Sequence, residues 1–180
     1  FDLSPDGKTA AWSGPVYRDI CPKTSGVYAC DLESGNVKSL TSDKEFEADR
    51  VCFMGENQVF FTGTTYERMG TNPRSYLVNV DNCERTDLPF SDFSVGSSVG
   101  SDAKYGGGTS MLYCQAEDAL YMLKTEWGSS QLVKMDRSGA ISYVTEKEGA
   151  VSSFDIQNGR GVMMAMRGCS MVELYSLDLE

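Results

Sequence analysis

Apolar and polar residues alternate over short stretches of this chain. In SYLVNV, Tyr76, Val78 and Val80 take one side and Leu77 and Asn79 the other. That is the two-residue period of a β-strand with unlike faces. Three stretches repeat one grammar of strand, polar turn and strand: GVYACDLESGNVKSLT (26–41), SYLVNVDNCERTDL (75–88) and SQLVKMDRSGAISYVT (130–145). A fourth copy begins at ELYSLDLE (173–180). The residues between strands are those that short hairpin loops require, such as Glu33-Ser34-Gly35-Asn36 and Arg137-Ser138-Gly139.

A second strand pair precedes three of these copies. FDLSPDGKTAAW turns at Ser4-Pro5-Asp6-Gly7, where proline presets φ and Gly7 accepts a positive φ. DRVCFMGENQVFFTG turns at Gly55-Glu56-Asn57, and VSSFDIQNGRGVMMAM turns at Asn158-Gly159. Four short antiparallel strands recurring every ~40–50 residues are the signature of a β-propeller blade. The expected fold is therefore all-β, a partial β-propeller with about four blades visible. Their expected bounds are 1–41, 42–90, 91–146 and 147–180, the last lacking its outermost strand. An all-β sandwich with similar strand spacing is the alternative. No helix is expected, apart from one possible turn over Lys44–Arg50.

Composition narrows the function classes. The 180 residues carry 26 acidic and 16 basic side chains, for a net charge of −10. An acidic surface repels phosphate backbones, so no nucleic-acid partner is expected. No apolar run approaches the roughly 20 residues of a membrane-spanning helix, so no membrane partner is expected either. FDLSPDGKTA shows no basic and apolar leader pattern, and the absence of an initial Met reads as a piece of a longer chain. Six cysteines are irregularly spaced, with no C-x-x-C pair. Cys30, Cys52 and Cys114 sit in apolar strand-like runs, where a thiol acts as a small hydrophobe. Buried thiols and a cytoplasmic location are expected, with disulfides as the alternative.

There is no histidine. Ser-His-Asp, Cys-His and histidine-metal arrangements are thus unavailable within the chain. This decides how GSSVG (96–100) is read. It fits G-x-S-x-G, the nucleophile elbow of α/β-hydrolases, which needs a helix after it and a histidine later in the chain. SDAKYGGGTS follows instead, and consecutive glycines oppose a helix. Ser98 is therefore not expected to be a nucleophile. KYGGGTS has its lysine before the glycines rather than after them, so it is no phosphate-binding P-loop. DLESGNVKSL lacks the EF-hand order of ligands, and Asp31 and Asn36 are expected to cap a hairpin. No catalytic residue, cofactor or metal site is expected. The candidate contact residues lie in two loops joining middle strands: Tyr66, Glu67 and Arg68, and Trp127 between Glu126 and Gly128.

The repeats resemble a known family. FDLSPDGKTAAW is similar to the F-S-P-D-G-K strand pair of TolB-like propellers and of prolyl oligopeptidase-type serine peptidases. GVYACDLESGNVKSLT resembles the stretch that leads into the next blade of those proteins. SSVGSDAKYGGGTSMLYCQAEDALYML resembles a segment of the dipeptidyl and acylaminoacyl peptidase branch. MGENQ at 54–58 departs from the SPDG turn. The peptidase resemblance implies a non-catalytic propeller that caps an α/β-hydrolase domain of the same parent chain and gates entry of peptide substrate. The alternative is a TolB-like or scaffold propeller that binds a protein partner and belongs to no enzyme. Open blade faces in a partial propeller further imply self-association.

Overall fold

The structure is a computed structural model. It describes residues 1–15, 17, 24–42, 45–68, 70–89, 92–97, 99, 108–145 and 148–179. The chain forms two compact units, Phe1–Asp92 and Phe93–Glu180.

The first unit contains two four-stranded antiparallel meanders. One runs β1 (Asp2–Leu3), β2 (Thr9–Gly14), β3 (Gly26–Asp31) and β4 (Val37–Ser39). The other runs β5 (Phe46–Phe53), β6 (Gln58–Thr65), β7 (Arg74–Asn79) and β8 (Arg85–Asp87). The turns hold the strands in register as their residues demand. Ser4 Oγ donates to Asp6 Oδ1 at 2.7 Å and accepts from the Thr9 amide at 2.9 Å, while Gly7 takes φ of +69°. Asp31 Oδ1 accepts from the Ser34 amide and hydroxyl, both at 2.7 Å, which occupies the carboxylate as a turn cap.

Alternation then decides what meets between these two sheets. Ala11, Val27 and Ala29 from the first pack with Phe46, Ala48, Phe61, Tyr76 and Val78 from the second. Tyr76, Val78 and Val80 do share this face, as the period predicted. The Phe46, Phe61 and Tyr76 rings lie 4.9–5.5 Å apart in stacked and edge-to-face pairs, a geometry that adds to plain area burial. Ser25 ties the sheets together, its amide donating to Phe46 C=O at 2.7 Å and its hydroxyl to Ala48 C=O at 2.8 Å.

The helical turn expected over Lys44–Arg50 is not there. Lys44 lies outside the described residues, and Phe46–Arg50 is the start of β5. Phe46 and Ala48 are buried while Glu47 and Asp49 are exposed, which is strand alternation. A bulge between Ala48 and Val51 breaks the period, and the Arg50 amide there donates to Thr62 Oγ1 at 3.2 Å. That break hid the strand.

The second unit begins with β9 (Ser94–Val95), β10 (Met111–Cys114), β11 (Ala119–Glu126), β12 (Ser129–Met135) and β13 (Ile141–Tyr143). It continues with the antiparallel strands β14 (Ala150–Gln157), β15 (Arg160–Met166) and β16 (Glu173–Asp178). A single parallel pair, Ser130 with Ala150, links the two groups. Their shared core contains Tyr121, Leu123 and Leu132 against Val151, Phe154, Met163 and Ala165.

The first strand of this unit is interrupted. β9 pairs Lys124 and Thr125 of β11, whereas β10 pairs Ala119–Met122 of the same strand. Leu123 spans the break: its carbonyl accepts from the Gly96 amide at 2.7 Å and its amide donates to Ser110 C=O at 2.9 Å. Pairing along β11 thus stops at Gly96 and resumes at Ser110. The Phe154 amide of β14 donates to Thr109 C=O at 3.3 Å.

Candidate functional site

Ser98 and Gly100 of the G-x-S-x-G segment lie outside the described residues. Ser97 Oγ donates to Val99 C=O at 3.1 Å. Residues 100–107, where the helix of a nucleophile elbow would follow, lie outside the described residues, and the next described element is strand β10. Lys104–Gly107 likewise lie outside the described residues.

Tyr66, Glu67 and Arg68 form a single 3-10 turn between β6 and β7. Glu67 and Arg68 are exposed, and the Tyr66 side chain lies outside the described residues. Arg68 C=O accepts from the Thr71 amide at 3.2 Å and hydroxyl at 2.7 Å, closing the turn.

Trp127 occupies a different kind of place. Glu126 pairs with Ser129, so Trp127 and Gly128 alone make the β11–β12 turn. Both have positive φ, +51° and +77°, as a type I′ hairpin requires. Glycine suits these positions because it has no Cβ and asparagine because its short polar side chain bonds locally, whereas tryptophan has neither advantage and costs about 1–2 kcal/mol there. Its side chain gains no packing in exchange: Trp127 is 96% exposed.

Gly128 and Ser129 lead from this turn into an open groove of about 870 Å³ in the second unit. Gln131, Tyr143, Glu148, Gly149, Ala150 and Met166 line it further. The floor is a connected hydrogen-bond set. Ser129 Oγ donates to Gly149 C=O at 2.9 Å, and Gln131 Nε2 donates to Ser129 Oγ at 2.6 Å. Thr145 Oγ1 donates to Gln131 Oε1 at 2.7 Å and accepts from the Leu132 amide at 3.0 Å. Gly149 is required where it stands. Its φ is +115°, and a Cβ would lie 1.9 Å from the Met166 carbonyl oxygen.

One side of the groove carries a second network. Tyr143 donates to Glu126 Oε2 at 2.7 Å, and Lys124 Nζ lies 2.9 Å from Tyr143 Oη and 2.7 Å from Glu126 Oε2. Hydrogen bonds from Lys124 and then Tyr143 hold the Glu126 carboxyl below its ordinary range. Burial opposes the Lys124 ammonium, but its bonds to Glu126 and Tyr143 outweigh burial and raise its pKa. At the other end of β11, Asp118 accepts from Arg137 and from Tyr113, each at 2.7 Å, which pins the neighbouring turns.

Among the described residues, no group of three His, Cys, Asp or Glu side chains is placed to hold a metal ion. Cys30, Cys83, Cys114 and Cys169 are free thiols, and Cys52 is buried with its Sγ 3.5 Å from Phe53 C=O. Cys21 lies outside the described residues.

No family model and no curated protein matches this sequence. Solved structures do match in fold. TolB from Acinetobacter baumannii is similar at a TM-score of 0.64 and 17% identity, over 99% of this chain and 40% of that one. The β-propeller domain of the Trilobed protease from Pyrococcus furiosus gives 0.64 and 17%, over 97% of this chain and 50% of that one. A puromycin-hydrolyzing peptidase of Mycobacterium tuberculosis gives 0.71 and 14%, over 99% and 27%. The chain thus spans half or less of the length of each of these. Both branches of the expected resemblance, TolB and peptidase propellers, are represented among the structural neighbours, and with these antiparallel sheets the fold is a partial β-propeller.

Proposed function

We propose that this chain is a non-catalytic β-propeller segment of a prolyl oligopeptidase-type serine peptidase. In this reading it caps an α/β-hydrolase domain of the same parent chain and gates the entry of peptide substrate. The observation that carries it is the fold likeness to peptidase propellers over nearly the whole chain. The absence of histidine assigns any serine-histidine chemistry to residues outside these 180. Gating is steric: blades around a channel pass an extended segment and exclude a folded one.

The test is a substrate-size series on the intact parent protein. Cleavage of short peptides with little or none of a folded protein carrying the same sequence in a surface loop supports gating. Equal rates on both, or no hydrolysis of either, overturn it.

A TolB-like propeller that binds a protein partner is the second reading, favoured by the likeness to TolB. In either reading Tyr66, Glu67, Arg68 and Trp127 are proposed contact residues for substrate or partner domain. Self-association is proposed through β15 and β16, where Val162 and Leu174 are 45% and 71% exposed. The register pairs Met164 with Leu174 and Val162 with Ser176, placing Val162 and Leu174 on one sheet face. Sedimentation velocity is expected to show a concentration-dependent dimer that Leu174→Glu abolishes.

A further inference from the structure

Within each unit, sheets meet face to face in one sense along the chain. The β1–β4 sheet turns Ala11, Val27 and Ala29 toward the sheet that follows it, which receives them with Phe46, Phe61 and Tyr76. In the second unit Tyr121, Leu123 and Leu132 of β11 and β12 meet Phe154, Met163 and Ala165 of the strands that follow. Two faces are left over. One is the face that β1–β4 would turn to a preceding sheet, and the other is the face that β14–β16 would turn to a following one.

Both leftover faces are apolar where they are exposed. Cross-strand register puts Leu3, Ala10, Cys30 and Val37 in one row and Trp12, Tyr28 and Ser39 in the next. Alternation places both rows on the side away from Ala11 and Ala29. No strand position on this face carries a charge. Leu3 and Val37 are 49% and 61% exposed, and the half-buried Trp12 and Tyr28 rings stack at 5.7 Å. On β14–β16 the leftover face carries Val162, Met164 and the largely exposed Leu174. Its charged residues, Asp155, Arg160 and Asp178, gather toward the Asn158-Gly159 turn, so the remainder is apolar.

Exposed apolar faces of this kind mark sites of association. Two like faces meeting would make a contact that neither unit contains. The face of β14–β16 against that of β1–β4 repeats the sense of packing that both units use. Resting on the self-association proposed through β15 and β16, we propose that this contact is head-to-tail: Val162, Met164 and Leu174 of one copy pack on Leu3, Trp12 and Val37 of a second copy.

Complementation between variants tests it. Val37→Glu and Leu174→Glu change exposed positions, and each places an unpaired carboxylate in one of the two faces. In sedimentation velocity each variant alone is expected to self-associate about ten-fold more weakly, or worse, than the unaltered chain. An equimolar mixture is expected to associate about ten-fold more tightly than either variant alone and to stop at a heterodimer, since each variant keeps one intact and different face. Fluorescence follows the same contact. Trp12 is the only indole left in Trp127→Asn, and its emission should move to shorter wavelength as concentration rises. Thermal melts matching the unaltered chain show that the variants fold, and Leu3→Glu replaces Val37→Glu on the same face if that variant melts lower. A monomer at every concentration overturns both the self-association reading and this inference. Association that Leu174→Glu abolishes and Val37→Glu leaves intact, a mixture that restores nothing, or Trp12 emission that ignores association overturns the head-to-tail contact alone.

Discussion

Two hairpins of the second unit share one backbone and differ in one residue type. Trp127-Gly128 and Asn158-Gly159 are both two-residue turns, closed by Glu126 with Ser129 and by Gln157 with Arg160. Their φ angles nearly coincide, at +51° and +77° against +52° and +74°. Asparagine-glycine is the pair that such a turn favours. Tryptophan-glycine is not, and its indole makes no compensating burial. One hairpin is therefore explained by folding alone, whereas the other asks for a reason outside folding. Residues held against their preference gather at functional sites, and the neighbouring Gly128 lines the groove.

The comparison breaks most severely at Gly149. Gly149→Ala places a methyl group against the Met166 carbonyl at a strained φ, so a loss of at least ~3 kcal/mol is expected. Thermal unfolding should fall by about 6–12 °C. A loss below about 1 kcal/mol would mean that the groove floor rearranges freely. Exchanging the turn residues is the sharper test. Asn158→Trp should cost ~1–2 kcal/mol, read as a fall of about 2–8 °C in Tm, because tryptophan lacks the short polar side chain that lets asparagine hydrogen-bond locally at positive φ. Trp127→Asn should do the reverse by ~0.5–1 kcal/mol, raising Tm by about 1–4 °C. A destabilising Trp127→Asn would show that the indole packs in solution and would remove the need for a function.

The smallest effect concerns pH. Glu126 has a depressed pKa in the folded state through Lys124 and Tyr143. The stability this contributes is present above the ordinary value of 4.5 and is lost as pH falls through the lower folded value. Glu126→Gln should therefore flatten slightly the decline of Tm below pH 4.5, leaving Asn158-Gly159 unaffected. An unchanged acid limb would show that the carboxylate titrates normally.

Much of the scaffold was legible because strand alternation and turn chemistry are local. Asp31, Gly7 and Asn158-Gly159 announce their turns by residue type. The Phe46 strand was not legible, since its bulge after Ala48 breaks the period within a few residues. The divided first strand of the second unit was also hidden, because Ser94–Val95 and Met111–Cys114 are joined only through their common partner β11. Trp127 stood out as an exposed-looking loop aromatic, but its positive φ could not be read, because tryptophan is not a turn signal. The groove was invisible for a plainer reason. Ser129, Gln131, Tyr143, Gly149 and Met166 are far apart in sequence and meet only through pairing of β11, β12 and β13 and packing beside β14 and β15.

The central claim is that this propeller segment belongs to a serine peptidase and does no chemistry itself. A fluorophosphonate probe, which labels activated serines, tests it most directly when applied to this chain and to its full-length parent. The account predicts labelling of the parent at a serine outside these 180 residues and none of this chain. Labelling of this chain at Ser98, or an unlabelled parent, would contradict it.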